Sequence, residues 1–417
     1  MKLLTFLGTG RYDETVYVLD TREQSARYAP VASCAFLRPD ELIVFATKDA
    51  QDAHGDSLRA AVSVPVTFVP IPLGANEREL WEIFECIGNA VQPRDQVAFD
   101  ITHGLRSSPL IGLLAAAFLR AGLDVNVRAV LYGAFDVGKV VSPGRTPMFD
   151  LSPMLALLEW ANAADRFNRT GDARYLANLV ERQRKTSALA AKGDPEQLRQ
   201  IGALGNLAST LSKISQGVQL IRPRQVMEQV AGLSERVERA RPAMERAASA
   251  QPFSLLLEHV IEIYKPLEQV AVPNDTVRTQ VRQMLFTERT LIHWYAEREL
   301  WAQAISLARE WFVSWVMFQL GVLNTTQLDA RERISHVVGA EASDFIKAKQ
   351  AEKPFTPIFL AAVPQVETVL ALWNPLTDAR NDVLHAGMRD EPGKPDDLIK
   401  QIKQHIETLD TLPLGEA

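Results

Sequence analysis

Near the end of the chain an arginine, an asparagine and a histidine fall close together, in Arg380-Asn381-Asp382-Val383-Leu384-His385. A helix turns about 100° and rises about 1.5 Å per residue, so Asn381 and His385 are neighbours on one helical face. Arg380 lies about 140° round from His385 and about 7.5 Å along the axis. Its long side chain can swing back to the imidazole or across to a second chain. Histidine titrates in the range useful for proton transfer. Arginine keeps its charge and meets phosphoryl oxygens with two parallel donors. The same spacing also suits an ordinary helix end, where histidine and arginine interact favourably with the dipole and Gly387 would terminate the helix.

Two glycine-bearing turns offer a different chemistry. Gly8-Thr9-Gly10 follows the first apolar run, and Asp100 to Leu110 ("DITHGLRSSPL") follows another and leads into a helical pattern. In open α/β sheets, ligands sit outside the carboxyl ends of strands. Glycine lets backbone N–H groups approach a phosphate, and the next helix N-terminus adds favourable partial charge. Thr9, Thr102 and Ser107 offer hydroxyls, and Arg106 offers a forked cation. Asp13 stands where a dinucleotide fingerprint needs its third glycine, and no G-K-[ST] of a phosphate-binding loop occurs. Either turn alone also reads as a tight strand-to-helix connection; two at the ends of one sheet favour a nucleotide-type anion.

These residues must be held by two kinds of scaffold. The first 150 residues carry short apolar runs at 3–8, 16–19, 41–47, 66–70, 96–102 and 125–133, with helical patterns at 76–91 and 107–122. Strands alternating with helices of that length predict parallel pairing, an α/β sheet covered on both faces; Met148-Phe149-Asp150-Leu151 offers one further strand. From Ser152 onward the strand signal fades and helical segments follow, broken at "GDPE", "RPRQ", "VPND" and "EKPFTP". The Arg-rich stretch 234–248 reads as a solvated helix face. Residues 276–297 and 300–321 read as two packed helices.

Composition narrows the partners. A length of 417 residues suits two or three domains. The net charge of −6 leaves nucleic-acid contact to a local patch. Cys34 and Cys86 argue against a disulfide framework and for a reducing, cytoplasmic setting, and leave no cysteine-based metal pattern. The apolar start gives way to glycine too soon for a signal peptide. Trp311–Leu323 is shorter than the roughly 20 residues of a membrane span, so no membrane is expected; with no complete cofactor fingerprint, no cofactor is expected either.

"FLGTGRYDETVY" and "FDITHGLRSSPL" resemble the two signature segments of CARF domains, the Rossmann-like sensors of CRISPR systems. "RNDVLHAGM" is similar to the R-x4-H signature of HEPN ribonucleases, and the order of the two resembles the accessory ribonucleases of type III CRISPR systems. The motif residues number about thirty. The resemblance implies an α/β, Rossmann-like CARF sensor over 1–150, a helical middle region over 151–272 that matches no motif, and a HEPN domain over 273–417. It implies a cyclic oligoadenylate activator, with tetra-adenylate favoured over hexa-adenylate, and metal-independent cleavage of single-stranded RNA; no DNA is expected. By carry-over Gly8, Thr9, Gly10, Thr102, His103, Gly104, Arg106 and Ser107 line the activator site, and Arg380, Asn381 and His385 are catalytic. Asp100 reads as a turn-fixing residue, since a carboxylate repels phosphate, whereas His103 either contacts an adenine or caps the turn.

RNA cleavage of this kind needs a proton removed from a 2′-hydroxyl, charge stabilised on phosphorus, and a proton given to the leaving 5′-oxygen. One histidine and one arginine are few for that work; two copies about a two-fold axis supply two of each. A homodimer or higher even oligomer is therefore expected. The alternative is a non-catalytic cyclic-oligoadenylate sensor whose helical half only dimerises. His259 and His293 read as packing residues and His54 as a loop residue.

Overall fold

The computed structural model describes residues 1–105, 107–191, 193–246, 251–268, 276–388 and 391–414. The chain divides into two compact units, Met1–Glu159 and Trp160–Ala417.

In the first unit the strands are β1 (Lys2–Leu7), β2 (Thr15–Leu19), β3 (Arg22–Ala26), β4 (Glu41–Ala46), β5 (Val66–Pro70), β6 (Gln96–Asp100), β7 (Asn126–Gly133) and β8 (Arg145–Asp150). They form one sheet in the order β3-β2-β8-β7-β6-β1-β4-β5. Helices α1 (Ala29–Leu37), α2 (Lys48–Ala61), α3 (Glu77–Asn89), α4 (Ser108–Gly122) and α5 (Phe135–Val141) connect them. β1 is buried on both faces because alternate residues serve two cores. Leu4 and Phe6 pack with Ile43, Phe45, Val97 and Phe99 on one side. Leu3 and Leu7 pack with Leu42, Val44, Ala98 and Leu131 on the other. Each such leucine, isoleucine, valine or phenylalanine contributes on the order of 1.5–3 kcal/mol by leaving water.

The sheet is mixed where parallel pairing was expected. β1 pairs parallel with β4 and β6, and β6 with β7, but β7–β8 and β2–β3 are antiparallel. β2 and β3 are joined through Asp20, at φ +54°, by a connection too short for a crossover helix. β3 (Arg-Glu-Gln-Ser-Ala) has no apolar run; only Ala26 is buried, as suits an edge strand. The parallel centre leaves the carboxyl ends of β1 and β6 side by side; β4 leads on to β5 on one side of β1 and β6 to β7 on the other, which is where such sheets open a crevice.

Helices follow: α6 (Ser152–Thr170), α7 (Arg174–Ala190), α8 (Pro195–Gln219), α9 (Pro223–Val230), α10 (Leu233–Arg246), α11 (Gln251–Tyr264), α12 (Arg278–Glu297), α13 (Trp301–Gln319), α14 (Leu328–Gln350), α15 (Val366–Leu384) and α16 (Pro395–Asp410). α13 is the hub of the last group, touching α12, α14, α15 and α16. Its Trp311, Phe312, Trp315 and Phe318 are buried. The indole N–H groups of Trp311 and Trp315 donate to the carbonyls of Leu285 and Pro413 at 2.7 and 2.9 Å, which offsets their desolvation. α10 buries Val237, Ala240, Ala243 and Met244 while Glu235–Arg239 and Glu238–Arg241 pair outward. No helix among the described residues is long and apolar enough to cross a membrane.

Candidate functional site

In the first unit, the turns after β1 and β6 meet. Gly8 is buried; its N–H donates to Tyr12 Oη at 2.9 Å, and that hydroxyl donates back to the Gly8 carbonyl at 3.1 Å. A Cβ on Gly8 would lie 3.5 Å from the Gly104 backbone, so the two turns come close to each other. Gly104 has φ +111°, and a Cβ there would come within 2.8 Å of Phe6 Cβ and 3.0 Å of Ser108 Cβ. Only glycine fits. Thr9 and Gly10 are exposed.

The Asp100 carboxylate is buried and accepts from Ser33 Oγ at 2.5 Å and from the Thr102 N–H at 2.9 Å. Burial pushes its pKa up, against the lowering effect of those bonds. It fixes the turn rather than facing a ligand. Thr102 Oγ1 accepts from Gly133 N–H at 2.8 Å and ties β6 to β7. His103 Nε2 accepts from the Ala29 N–H at 2.9 Å, at the first turn of α1. Burial, with nearby His54 adding to it, lowers the imidazole pKa to about 4, so the ring is neutral. Its ring packs tilted against Tyr12, centroids 4.2 Å apart. Ser107 holds the N-cap position of α4 without a side-chain cap bond; Ser108 Oγ instead accepts from Leu105 N–H. Arg106 lies outside the described residues.

Thr102 and His103 line a cavity of about 260 Å³ together with Tyr12, Arg27, Tyr132 and Phe135. Gly8 supports it from behind through Tyr12. The aromatic walls are what the sequence reading passed over. Tyr12 stands two residues beyond Gly10 and signals itself, whereas Tyr132 and Phe135 flank the end of β7, a strand end without a glycine-rich signature. Arg27 Nε donates to the Tyr12 carbonyl at 2.9 Å, which places a cation at the rim. The lining also holds Arg11, Asp13 and Asp136, so the aromatic walls stand beside two arginines and two carboxylates; flat walls with polar groups at the edge suit a base-bearing ligand.

In the second unit, α15 ends at the other candidate group. His385 is the C-cap and is exposed; its N–H donates to the Asn381 carbonyl at 2.9 Å. Arg380 and Asn381 are half-buried, and Arg380 Nη1 donates to Asn381 Oδ1 at 3.0 Å. The structure thus joins Arg380 to Asn381 and leaves the imidazole open on the same end. Ala386 (φ +54°) and Gly387 (φ +66°) are both left-handed, and Gly387 N–H closes on the Asp382 carbonyl at 3.0 Å. Buried Asp382 accepts from Gly393 N–H at 3.0 Å, so the chain beyond is anchored to the helix. Leu384 and Met388 stand exposed beside His385.

Comparison with known proteins adds a finding for the helices between. Residues 156–268, from α6 through the turn after α11, match the family model described as the second domain of the CRISPR-associated protein MJ1674. The protein of that name from Methanocaldococcus jannaschii is 29% identical over 156 residues, which cover 37% of this chain and 23% of that protein's length. The solved structure of Enterococcus italicus Csm6 bound to cyclic hexa-2'-fluoro-hexa-dAMP aligns with a TM-score of 0.44 and 10% identity, over 99% of this chain and 93% of that one. The helical segment that matches no nameable motif is therefore the one similar to a CRISPR-associated domain.

Proposed function

We propose that this protein is a cyclic-oligoadenylate-activated endoribonuclease of CRISPR defence. In this reading residues 1–150 sense the activator, 151–272 couple the sensor to the effector, and 273–417 cut single-stranded RNA without a metal. The observation that carries the reading is the end of α15: a histidine open to solvent beside an arginine whose guanidinium is held by an asparagine. The similarity of 156–268 to a CRISPR-associated domain supports the setting, and the aromatic cavity at the strand ends supports a nucleotide activator.

The chemistry follows from the side chains. A neutral His385 takes the proton of the RNA 2′-hydroxyl, whose oxygen bonds to phosphorus. Charge gathers on the non-bridging oxygens, where the Arg380 fork donates without losing its own proton. The P–O5′ bond breaks, and the imidazolium of a second copy returns a proton to the 5′-oxygen, leaving a 2′,3′-cyclic phosphate. Exposed Leu384 and Met388 give the second copy an apolar seat beside the histidine.

The test mixes the full chain with a fluorescent single-stranded RNA, with and without cyclic tetra- or hexa-adenylate, in EDTA and in magnesium. Cleavage only with a ring, and equal in EDTA, is expected, with tetra-adenylate the better activator. Ring binding without cleavage in any condition would replace the enzyme by a sensor.

A further inference from the structure

Two buried polar atoms on α15 have no hydrogen-bond partner among the described residues, and they lie one turn apart: Thr377 Oγ1 and Arg380 Nε. A helical threonine usually satisfies its hydroxyl on the carbonyl four residues earlier. Thr170, Thr186, Thr210, Thr287, Thr290 and Thr408 all do so in this chain. Thr377 does not, although it sits inside a helix that offers such a carbonyl. A buried hydroxyl left unpaired is unfavourable for folding; Thr5 Oγ1, His54 Nε2, Gln200 Oε1, Arg298 Nε and His405 Nε2 are likewise unpartnered among the described residues, but Thr377 Oγ1 and Arg380 Nε are an acceptor and a donor one helical turn apart.

Helix geometry supplies the connection. Residues three apart have Cβ atoms about 5–6 Å from each other, and long helical side chains lean toward the helix N-terminus, onto the residues three and four before them. Arg380 and Thr377 are therefore neighbours on the helix surface. The terminal nitrogen Nη1 of Arg380 is drawn to Asn381 instead, on the side away from the N-terminus. Thr377, Asn381 and Leu384 share one stripe, about 40° or less from Thr377 round the axis, so the threonine continues the helix face that carries Asn381.

We infer that Thr377 is a positioning residue for Arg380. On the ribonuclease reading above, its hydroxyl accepts from the Arg380 Nε–H when RNA is bound. That bond turns both terminal nitrogens of the guanidinium outward as a fork toward the phosphate. The change needs only side-chain rotation, and it pairs the two orphaned atoms with each other. Asn381 holds the resting orientation and Thr377 the working one.

The experiment uses the full chain with the activator that supports cleavage, and compares wild type with Thr377→Val, Thr377→Ser, Arg380→Ala, the Arg380→Ala/Thr377→Val double variant and His385→Ala. Thr377→Val keeps the shape and removes the hydroxyl. It should lower kcat roughly 10- to 150-fold, the range for a lost bond to a charged group, with KM and the activator midpoint unchanged. Its Tm should be equal or higher, because an unpaired buried hydroxyl has become a methyl. Thr377→Ser should keep most of the activity. Adding Thr377→Val to Arg380→Ala should cost nothing more, since the threonine acts only through the arginine. Wild-type kcat in Thr377→Val, or equal losses in Thr377→Val and Thr377→Ser, would overturn the inference while His385→Ala remained inactive. No cleavage by wild type, or full cleavage by His385→Ala, would overturn the ribonuclease reading and this inference with it.

Discussion

His103 sits in the candidate activator turn, yet its Nε2 is occupied by the first N–H of α1. That bond exists only while Nε2 carries a lone pair, so protonation must release the cap. The ordinary imidazole value is 6.5 and burial lowers it to about 4. A group whose folded value is depressed adds stability in its neutral form, which is lost as pH falls from the unfolded value toward the folded one. For these two values the loss is about 0.2 kcal/mol at pH 7, about 2 kcal/mol at pH 5 and roughly 3 kcal/mol by pH 3. Buried Asp100 works the other way, since its value is raised and acid relieves it; His54 lies nearby as well. A variant isolates the imidazole: His103→Gln keeps an acceptor that does not titrate. Hydrogen exchange of the peptide spanning 27–38, read by mass spectrometry on the full chain, reports opening of the α1 start. Between pH 7 and pH 5, wild type should open about 20-fold more readily relative to His103→Gln at matched pH. Parallel pH dependences in the two proteins would refute the capping argument. Activator affinity at pH 7.5 should survive His103→Gln within a few-fold, because Nε2 is already taken by the Ala29 N–H.

Three further outcomes are expected. His385→Ala should abolish RNA cleavage with Tm and ring binding unchanged, and Arg380→Lys should not rescue Arg380→Ala, because an ammonium lacks the fork; gel assays with labelled RNA read both. Arg106→Ala should move the activator midpoint roughly 10- to 150-fold higher, the range for a lost charge-assisted contact, with activity recovering at saturating ring. Gly104→Ala should lower stability by about 2 kcal/mol or more, since a left-handed φ and a 2.8 Å approach to buried Phe6 leave no room for the methyl; a denaturant melt at neutral pH measures it.

How far the sequence could be read depended on which physical signal each element carries. Strands of the sheet centre announce themselves because both faces are buried, so β1 and β4 are continuous apolar runs. β3 carries no such run, being an edge strand with one buried residue, and α1 starts without an acidic first turn or a capping side chain of its own. Its cap comes from His103, far along the chain, which no local pattern shows. The glycine turns were legible through residue type alone. The aromatic walls at Tyr132 and Phe135 were not, because a strand-end aromatic looks the same whether it packs or binds.

The end of α15 shows the same division at finer grain. The residue types and spacing of Arg380, Asn381 and His385 put their chemistry in the sequence, and helix periodicity put two of them on one face. What periodicity cannot supply is the state of each polar atom. Thr377 reads as an ordinary helical threonine, and six others in this chain behave as one. Only coordinates reveal that its hydroxyl is buried and unspent one turn before an arginine whose Nε is equally so. Local rules that hold elsewhere in a fold and fail beside a chemically apt group mark a place where stability has been given up. If that holds here, stability and rate should move in opposite directions when Thr377 becomes valine, and a threonine that merely packs cannot produce that pairing.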